Sequence, residues 1–538
     1  LHFRVLAGSL VQLRLGPTGL IEVVSPFDAV TQAQLRAIRP AGRWLRQRHC
    51  WEFPLEAAAL LERQLAGRFP ITPELTQWLR WLQQPLPPLP PHRQLVAAAD
   101  LETPLSDGRR LLLHQRAAVR WLLARRGAVL ADAMGLGKTL TALVAARSLV
   151  RLADCRIAVV APTGLHHHWR QEGSTCGLRL ELHSWARLPS ALPEAGTVLI
   201  ADEAHYAQNL NTVRTQAFLR LARHPRLRAI WLLTGTPIQN GRPVQLFPLL
   251  AAIGHPLGRD PRAFDERYCQ GHWRDRGGQR VWQATGASQL EELQRLVRPL
   301  LLHRRKQQCL DLPPKHRRLV PITLDQDAAA DFDHQLEARV IAYRRRAGRG
   351  EVRRDAEALA VLTALRQISS AHKLPSIQVL VRDLLAQGEA VVVFTAFVAT
   401  ARSLGEGLNG QAALLTGQLP VGQRQRLVNR FQAGKQPCLI ATFGTGGLGF
   451  TLHRARHVVL IERPWTPGAA EQAEDRCHRI GMAASLTSHW PQLGVADQLV
   501  DELISCKAER IAMILQSREQ LERQRNLPEL VRQMLEQW

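Results

Sequence analysis

The eight cysteines of this 538-residue chain never form a C-x-x-C pair, and no apolar run is long enough to span a bilayer. Acidic residues are too few to balance the basic ones. The first absence argues against zinc ribbons and disulfide scaffolds and for a reducing compartment; the second predicts a protein that does not cross a membrane. The third leaves a net charge of +24 and a pI near 11.1, carried overwhelmingly by arginine. Such an excess repels itself in a compact state and points to a polyanionic partner, with arginine-favouring codon usage as the rival explanation. The one histidine cluster, His166-His167-His168, lacks further ligands at metal spacing, so a loop or helix start is expected there. Leu1–Phe3 show no charged segment leading into an apolar one, which predicts no secretory signal. The first residue is not Met, so the true start is expected to be missing.

What is present is organised in blocks. Residues 1–75 read as one unit, followed by a linker over 76–99 that contains Pro85-Leu-Pro-Pro-Leu-Pro-Pro91, a run suited to extended polyproline II; an SH3-type ligand is the other reading. Short apolar runs then alternate with helical stretches: Ala128–Ala131, Ile157–Ala161, Val198–Ala201 and Ala229–Leu233, and later Ala390–Phe394, Cys438–Ala441 and His457–Ile461. Two such series predict two doubly wound parallel-sheet domains, at 100–255 and 376–515. Residues 256–375 read as polar, arginine-rich helical insertions, in which Arg344–Arg354 is a solvated loop or a DNA-facing patch. Ile504, Ile511, Ile514, Leu515 and Leu521 recur at helical spacing and predict a helix on the second domain, with a helical tail over 516–538.

The chemistry is concentrated in a few boxes. Asp132-Ala-Met-Gly-Leu-Gly-Lys-Thr139 follows a strand and precedes a helix, the setting a phosphate-binding loop requires. There the Met134–Gly137 backbone (Met134, Gly135, Leu136, Gly137) can approach phosphates, Lys138 can reach the β and γ groups, and Thr139 can ligate Mg²⁺. Asp132 stands where the general pattern has its first glycine. Asp202-Glu-Ala-His205 ends another strand, placing Asp202 to hold Mg²⁺ and Glu203 to activate water. Thr234-Gly-Thr-Pro-Ile-Gln-Asn240 is a polar loop able to couple nucleotide state to domain movement, and Gln115 is a candidate adenine contact. Arg476 and Arg479, within Gln472–Gly481, lie three apart on one helical face and are candidate contacts to the γ-phosphate; Gln472 opens the same box.

In this order, and with Gly446-Gly-Leu-Gly449, these boxes resemble the Swi/Snf-type ATPases of helicase superfamily 2 over about residues 100–515. The resemblance implies an α/β fold of two RecA-like lobes with helical insertions plus a small N-terminal α+β module, ATP and Mg²⁺ as cofactors, and ATP-driven translocation on double-stranded DNA. Arg267-Tyr-Cys269, Trp282 with Gly286-Ala-Ser288 and Glu292-Leu293, Leu312-Pro-Pro-Lys315 and Trp465-Thr-Pro-Gly468 resemble the annealing-helicase (HepA-related, HARP-type) branch, which implies remodelling or reannealing of branched DNA. Ala133 and Met482 depart from the family, at positions usually acidic and Gln respectively; neither removes a phosphate or metal ligand.

In the N-terminal unit, Arg36, Arg39, Arg43, Arg46 and Arg48 are interleaved with Trp44, Trp51 and Phe53. Gly42–Pro54 resembles the DNA-structure-sensing HARP module, which makes Arg43, Trp44 and Trp51 candidate DNA contacts; Thr236 and Trp465 are candidates within the motor. The competing reading is a small sheet with the Trp residues as its core. A transcription-recycling ATPase and a catalytically dead DNA-binding scaffold are the alternatives for the whole chain. With no histone-reading module and no nuclear-localisation cluster, a monomeric, nucleoid-associated protein of the bacterial cytoplasm is expected. Single-strand-binding protein and RNA polymerase are open as partners.

Overall fold

The computed structural model describes most of residues 12–516. Residues 1–11, 80–95 and 517–538 lie outside it, as do short internal segments, 191–195, 349–353 and 447–449 among them. The Pro85–Pro91 run, Leu521, the core of the Gly446–Gly449 box and the middle of Arg344–Arg354 therefore fall outside the described residues.

Four short strands, β1 (Gln12–Leu15), β2 (Ile21–Val24), β3 (Arg43–Leu45) and β4 (Cys50–Phe53), form an antiparallel sheet in the order β1-β2-β4-β3. Its register sorts the side chains by face, because successive residues of a strand point to opposite sides. Leu13, Val23, Trp51 and Trp44 make one cross-strand row, and Arg14, Glu22, Glu52 and Arg43 the row beside it. The apolar row joins helices Ala29–Ala37 and Ala58–Leu65 in a core continuous with that of the first lobe.

In the first lobe, β5 (Gly127–Leu130), β6 (Arg156–Ala161), β7 (Glu181–Ser184), β8 (Thr197–Asp202) and β9 (Leu227–Leu233) are parallel. All but the edge strand β7, whose Glu-Leu-His-Ser is half-buried, are buried almost throughout, as their apolar runs require. A hairpin, β10 (His272–Arg276) and β11 (Gln279–Gln283), projects from the region that follows. The lobe does not end near residue 255. Leu257, Phe264, Tyr268, Leu293 and Leu296 lie in its core, and β12 (Leu301–Leu302) completes the sheet order β12-β5-β9-β8-β6-β7. The second sheet likewise begins early, with β13 (Lys315–Pro321). It runs β13-β18-β17-β14-β16-β15, where β14 is Val391–Thr395, β15 Ala412–Leu415, β16 Cys438–Thr442, β17 His457–Leu460 and β18 Leu486–Gln492, all parallel. Both edge strands sit inside the stretch expected to be mostly helical insertion. β12 is too short and β13 (Lys-His-Arg-Arg-Leu-Val-Pro) too polar to show the apolar pattern of a buried strand. The helices Gln326–Gly348 and Arg354–Ala386 are the insertion itself.

The helix Gly494–Gln516 departs from its expected place on the second lobe alone. Its first half is anchored there: Asp497 takes the buried Lys373 ammonium at 2.8 Å, and Asp501 takes Arg463 at 2.7 Å. Farther along, Ile514 enters the first-lobe core, with Ile511 and Leu515 packed against it. The helix therefore spans the two lobes.

Candidate nucleotide site between the lobes

β5 is buried along its length and runs directly into Asp132–Thr139. Gly135 and Gly137 take φ of +82° and +75°, a region where a side chain is strained. The space there is filled as well: a β-carbon on Gly137 would collide with the Gln115 amide nitrogen. Helix Lys138–Leu152 follows, so Lys138 and Thr139 occupy its first turn, where unpaired N–H groups and the helix dipole favour anions. Lys138 Nζ donates to the carbonyls of Asp132 at 2.7 Å and Ala133 at 3.3 Å. Burial draws the Lys138 ammonium below its ordinary pKa, against the opposing pull of Glu203, Asp132 and Asp202. Asp132, in place of the usual glycine, is buried and takes a two-pronged ion pair from Arg304, with Nε to Oδ1 at 2.9 Å. Arg304 also donates to the His114 carbonyl at 2.8 Å, tying the loop to its flanks. Beside it, Ala133 N–H donates to the Arg304 carbonyl at 2.9 Å, so this departure from the family keeps a structural role through its backbone.

The end of β8 brings Asp202 and Glu203 to the same place. Two indoles fix the turn: Trp169 Nε1 donates to Asp202 Oδ2 at 2.9 Å, and Trp185 Nε1 to the Asp202 carbonyl at 2.8 Å. Trp169 belongs to the helix that starts at His166, so the histidine run begins a helix as expected. Glu203 is left-handed (φ +52°), a strained conformation for a non-glycine residue of a kind that clusters at functional sites. Burial and the Glu203 charge push the Asp202 carboxyl up to about 6. Burial would raise Glu203 too, but His205 at 3.2 Å, Lys138 and Arg476 together hold it below its ordinary value. Glu203 is therefore ionised near neutrality, in the field of Lys138 and Arg476. The loop after β9 is bound to this box: Thr234 Oγ1 lies 3.4 Å from His205 Nδ1, and Gln208 donates to the carbonyls of Thr236 and Pro237 at 3.2 and 2.6 Å.

From the second lobe, helix Pro467–Glu474 leads into Asp475–Arg479. Arg476 is buried and faces Glu203 electrostatically; burial and the neighbouring Arg479 bring it down to about 10. Arg479 donates to the Asp475 carbonyl at 2.9 Å and to Thr451 at 3.1 Å, and its Cγ lies 3.9 Å from the β-carbon position of Gly135. Glu474 beneath them is held well below its ordinary pKa, at about 2: burial opposes this, and Lys315 and Arg317 from β13 overcome it. A cleft of ≈ 260 Å³ between the lobes is lined by Met134 and Gly235 on one side and Gln472 and Asp475 on the other, with Ile511 of the spanning helix closing it.

The fold thus gathers Met134–Thr139, Asp202, Glu203, Gln472, Arg476 and Arg479 around one cleft. Gln115 is also there, its amide bracing the loop: Nε2 donates to the Leu136 carbonyl at 3.4 Å, and Oε1 accepts from Leu112 N–H at 2.9 Å. Lys306, Arg304, Trp169 and Trp185 were missed from sequence, since each acts from outside the recognisable boxes. Met482 lies in the second-lobe core. Several branch-marker residues also meet: Arg267 and Tyr268 both bond Glu292, at 2.8 and 2.6 Å.

The expected DNA contacts fare differently. Trp51 is only 9% exposed, and its indole N–H donates to Gln32 at 2.9 Å, so it is a core residue and not a stacking platform. Trp44 packs on it edge-to-face at 5.9 Å and is half-buried. Arg43 is exposed but paired with Glu52 at 3.1 Å. Thr236 is buried, with its methyl carbon against the β-carbon position of Gly468, so it faces the other lobe. Trp465 is half-buried, with the Arg366 guanidinium 4.2 Å above its ring. No helix among the described residues is long and apolar enough to cross a membrane.

Residues 114–176 and 190–374 match the SNF2-related domain, and residues 373–481 match the helicase conserved C-terminal domain. The chain is 28% identical over 453 residues to the mouse DNA annealing helicase and endonuclease ZRANB3, covering 76% of this chain and 41% of that protein. It is also 28% identical over 440 residues to the Xenopus laevis SWI/SNF-related matrix-associated actin-dependent regulator of chromatin subfamily A-like protein 1, covering 74% and 43%. It therefore spans about two fifths of the length of these relatives. A solved Sulfolobus solfataricus SWI2/SNF2 ATPase core in complex with dsDNA aligns with 77% of this chain and 99% of its own, at 20% identity and a TM-score of 0.35. With both domains in order and the motor boxes gathered at one interlobe cleft, the chain belongs to the SNF2-type ATPases of helicase superfamily 2.

Proposed function

We propose that this chain hydrolyses ATP to translocate on double-stranded DNA, and that it remodels or reanneals branched DNA. The reading is supported by one convergence: an ionised Glu203 in the electrostatic field of both Lys138 of its own lobe and Arg476 of the other. Lys138 and the first turn of its helix bind the phosphates; Glu203 orients and deprotonates the attacking water; Arg476 and Arg479 stabilise charge on the transferred group. Thr139 and Asp202 offer hard oxygen donors, and no group of three or more His, Cys, Asp or Glu among the described residues could hold a metal by itself. That donor set fits Mg²⁺, which binds through one or two protein ligands together with substrate phosphates. Bound there, the ion would neutralise phosphate charge.

Because the arginines and the phosphate loop sit on different lobes, anything that favours lobe closure accelerates hydrolysis, and a DNA track lying across both lobes does so. The DNA preference rests on the motor boxes and on similarity to a relative named as an annealing helicase; the +24 charge agrees with it. The test is ATPase rate on duplex, single-stranded and forked DNA and on RNA, with strand displacement on a tailed duplex in parallel. Stimulation by duplex and forked DNA without peeling of a plain duplex is expected. Equal rates with and without DNA would overturn the closure model, and efficient unwinding would move the chain to the conventional helicases.

A further inference from the structure

Lys306 is a buried charged residue at the contact between the lobes that no motif accounts for. The backbone that delivers it is fixed to the phosphate loop. β12 pairs in parallel with β5, and the hydrogen bonding continues past the strands to Ala133 N–H and the Arg304 carbonyl. Two residues farther on, the Lys306 stem lies over Gly135, its Cε and Nζ 3.5 and 3.7 Å from that glycine's β-carbon position. The ammonium then meets the second lobe: Nζ is 2.9 Å from Asp475 Oδ1 and donates to the His478 carbonyl at 2.7 Å. These two acceptors bracket Arg476, and the Asp475 carbonyl in turn receives Arg479.

Only 8% of Lys306 is exposed, and a buried ammonium is costly unless paired. Burial brings it down to about 8 against the attraction of Asp475, while Lys315 and Arg479 add repulsion. An isolated structural lysine has no need to reach across a cleft to a segment that carries two arginines; this one is anchored on the loop those arginines must address.

We propose that Lys306 is a positioning residue for hydrolysis, pinning Asp475 and the His478 carbonyl to the phosphate loop and so holding Arg476 and Arg479 at the nucleotide. The proposal rests on reading those arginines as transition-state contacts. Misplacement of a reacting group by about 1 Å costs on the order of 10²-fold, which sets the scale of the test.

The test is the duplex-stimulated ATPase of the full chain, with thermal unfolding in parallel. Lys306→Ala is expected to lower kcat by roughly 10- to 100-fold with little change in KM for ATP, the pattern of an interaction felt only in the transition state. Lys306→Arg should restore part of the rate, and Asp475→Asn should reproduce the loss. Lys306→Gln, which can still donate to the His478 carbonyl, serves if the alanine variant unfolds. In single-turnover reactions of an Arg476→Ala/Arg479→Ala background, adding Lys306→Ala should change the rate little, because nothing is left to position. Wild-type kcat in both Lys306→Ala and Lys306→Gln would overturn the inference. So would an undiminished loss in the arginine-free background, which would make Lys306 act independently of the arginines. If Arg476→Ala and Arg479→Ala turn over normally, the arginine reading falls first and this inference with it; if they fail while Lys306→Ala does not, only this inference falls.

Discussion

The interlobe cleft and the N-terminal sheet draw on the same residue types, arginine, tryptophan and glutamate, and use them differently. In the sheet each charge is answered within the sheet: Glu22 by Arg14 and Arg48 at 3.0 and 2.8 Å, Glu52 by Arg43 at 3.1 Å. Two glutamates directly opposite each other would repel, and the flanking arginines offset that. In the cleft the partners come from distant segments, and several from opposite lobes: Trp169 to Asp202, Lys306 to Asp475, Arg476 towards Glu203. Charges matched inside one rigid element hold that element together. Charges matched across a gap between two bodies depend on how the bodies sit, and are placed to respond to what enters the gap.

This contrast is sharpest where hydrolysis can be removed without unfolding the chain. Lys138→Ala and Arg476→Ala should each reduce turnover by orders of magnitude, about 10³–10⁵ for a lost arginine finger in related phosphoryl transfer. Unfolding midpoints should barely move. A near wild-type rate in either variant, measured by phosphate release, would remove that residue from the machinery. Next in size, Glu203→Gln should cost about 10²–10⁴ in rate as a lost general base while nucleotide still binds, since the Asp202 and Thr139 donors remain. Nucleotide titration by fluorescence checks this, and loss of binding would merge the two roles.

On the other side of the comparison, Trp51→Ala should cost about 3–5 kcal/mol of stability, as for other buried aromatics. Chemical denaturation should show this as early unfolding of the N-terminal sheet. A variant that stays fully folded but loses affinity for forked DNA would return Trp51 to a stacking role. The smallest effect belongs to Arg43→Ala. Its guanidinium is 66% exposed, and exposed pairs contribute about 0–1 kcal/mol. If Arg43 touches no phosphate, the salt dependence of DNA binding is unchanged; a slope reduced by about one would make it a backbone contact.

Much of the motor was legible because phosphate chemistry demands particular residues in contiguous order. Gly135 and Gly137 are needed where the backbone turns left-handed, Lys138 and Thr139 at a helix start, and a carboxylate pair at a strand end. β7, β15 and β18 were not picked out from the sequence, whereas β5, β6, β8, β9, β14, β16 and β17 announced themselves by apolar runs. β12 and β13 did not, since a two-residue strand and an arginine-rich edge strand carry no such pattern. The helix Gly494–Gln516 showed its apolar spacing but not its destination: Ile504 and Ile514 are alike in sequence, yet only Ile514 enters the first-lobe core.

The sequence by itself determined the boxes proposed to handle phosphate and their order along the chain, because those roles depend on chemical type and immediate neighbours. The tertiary structure decided which tryptophan is core, which lobe each end of the last helix meets, and that Arg304 and Lys306 reach the phosphate loop. Those facts depend on contacts between segments far apart in sequence, as with Lys306 and the His478 carbonyl, separated by 172 positions. No local periodicity or motif encodes such a meeting; it exists only once two sheets and their edge strands have been brought face to face.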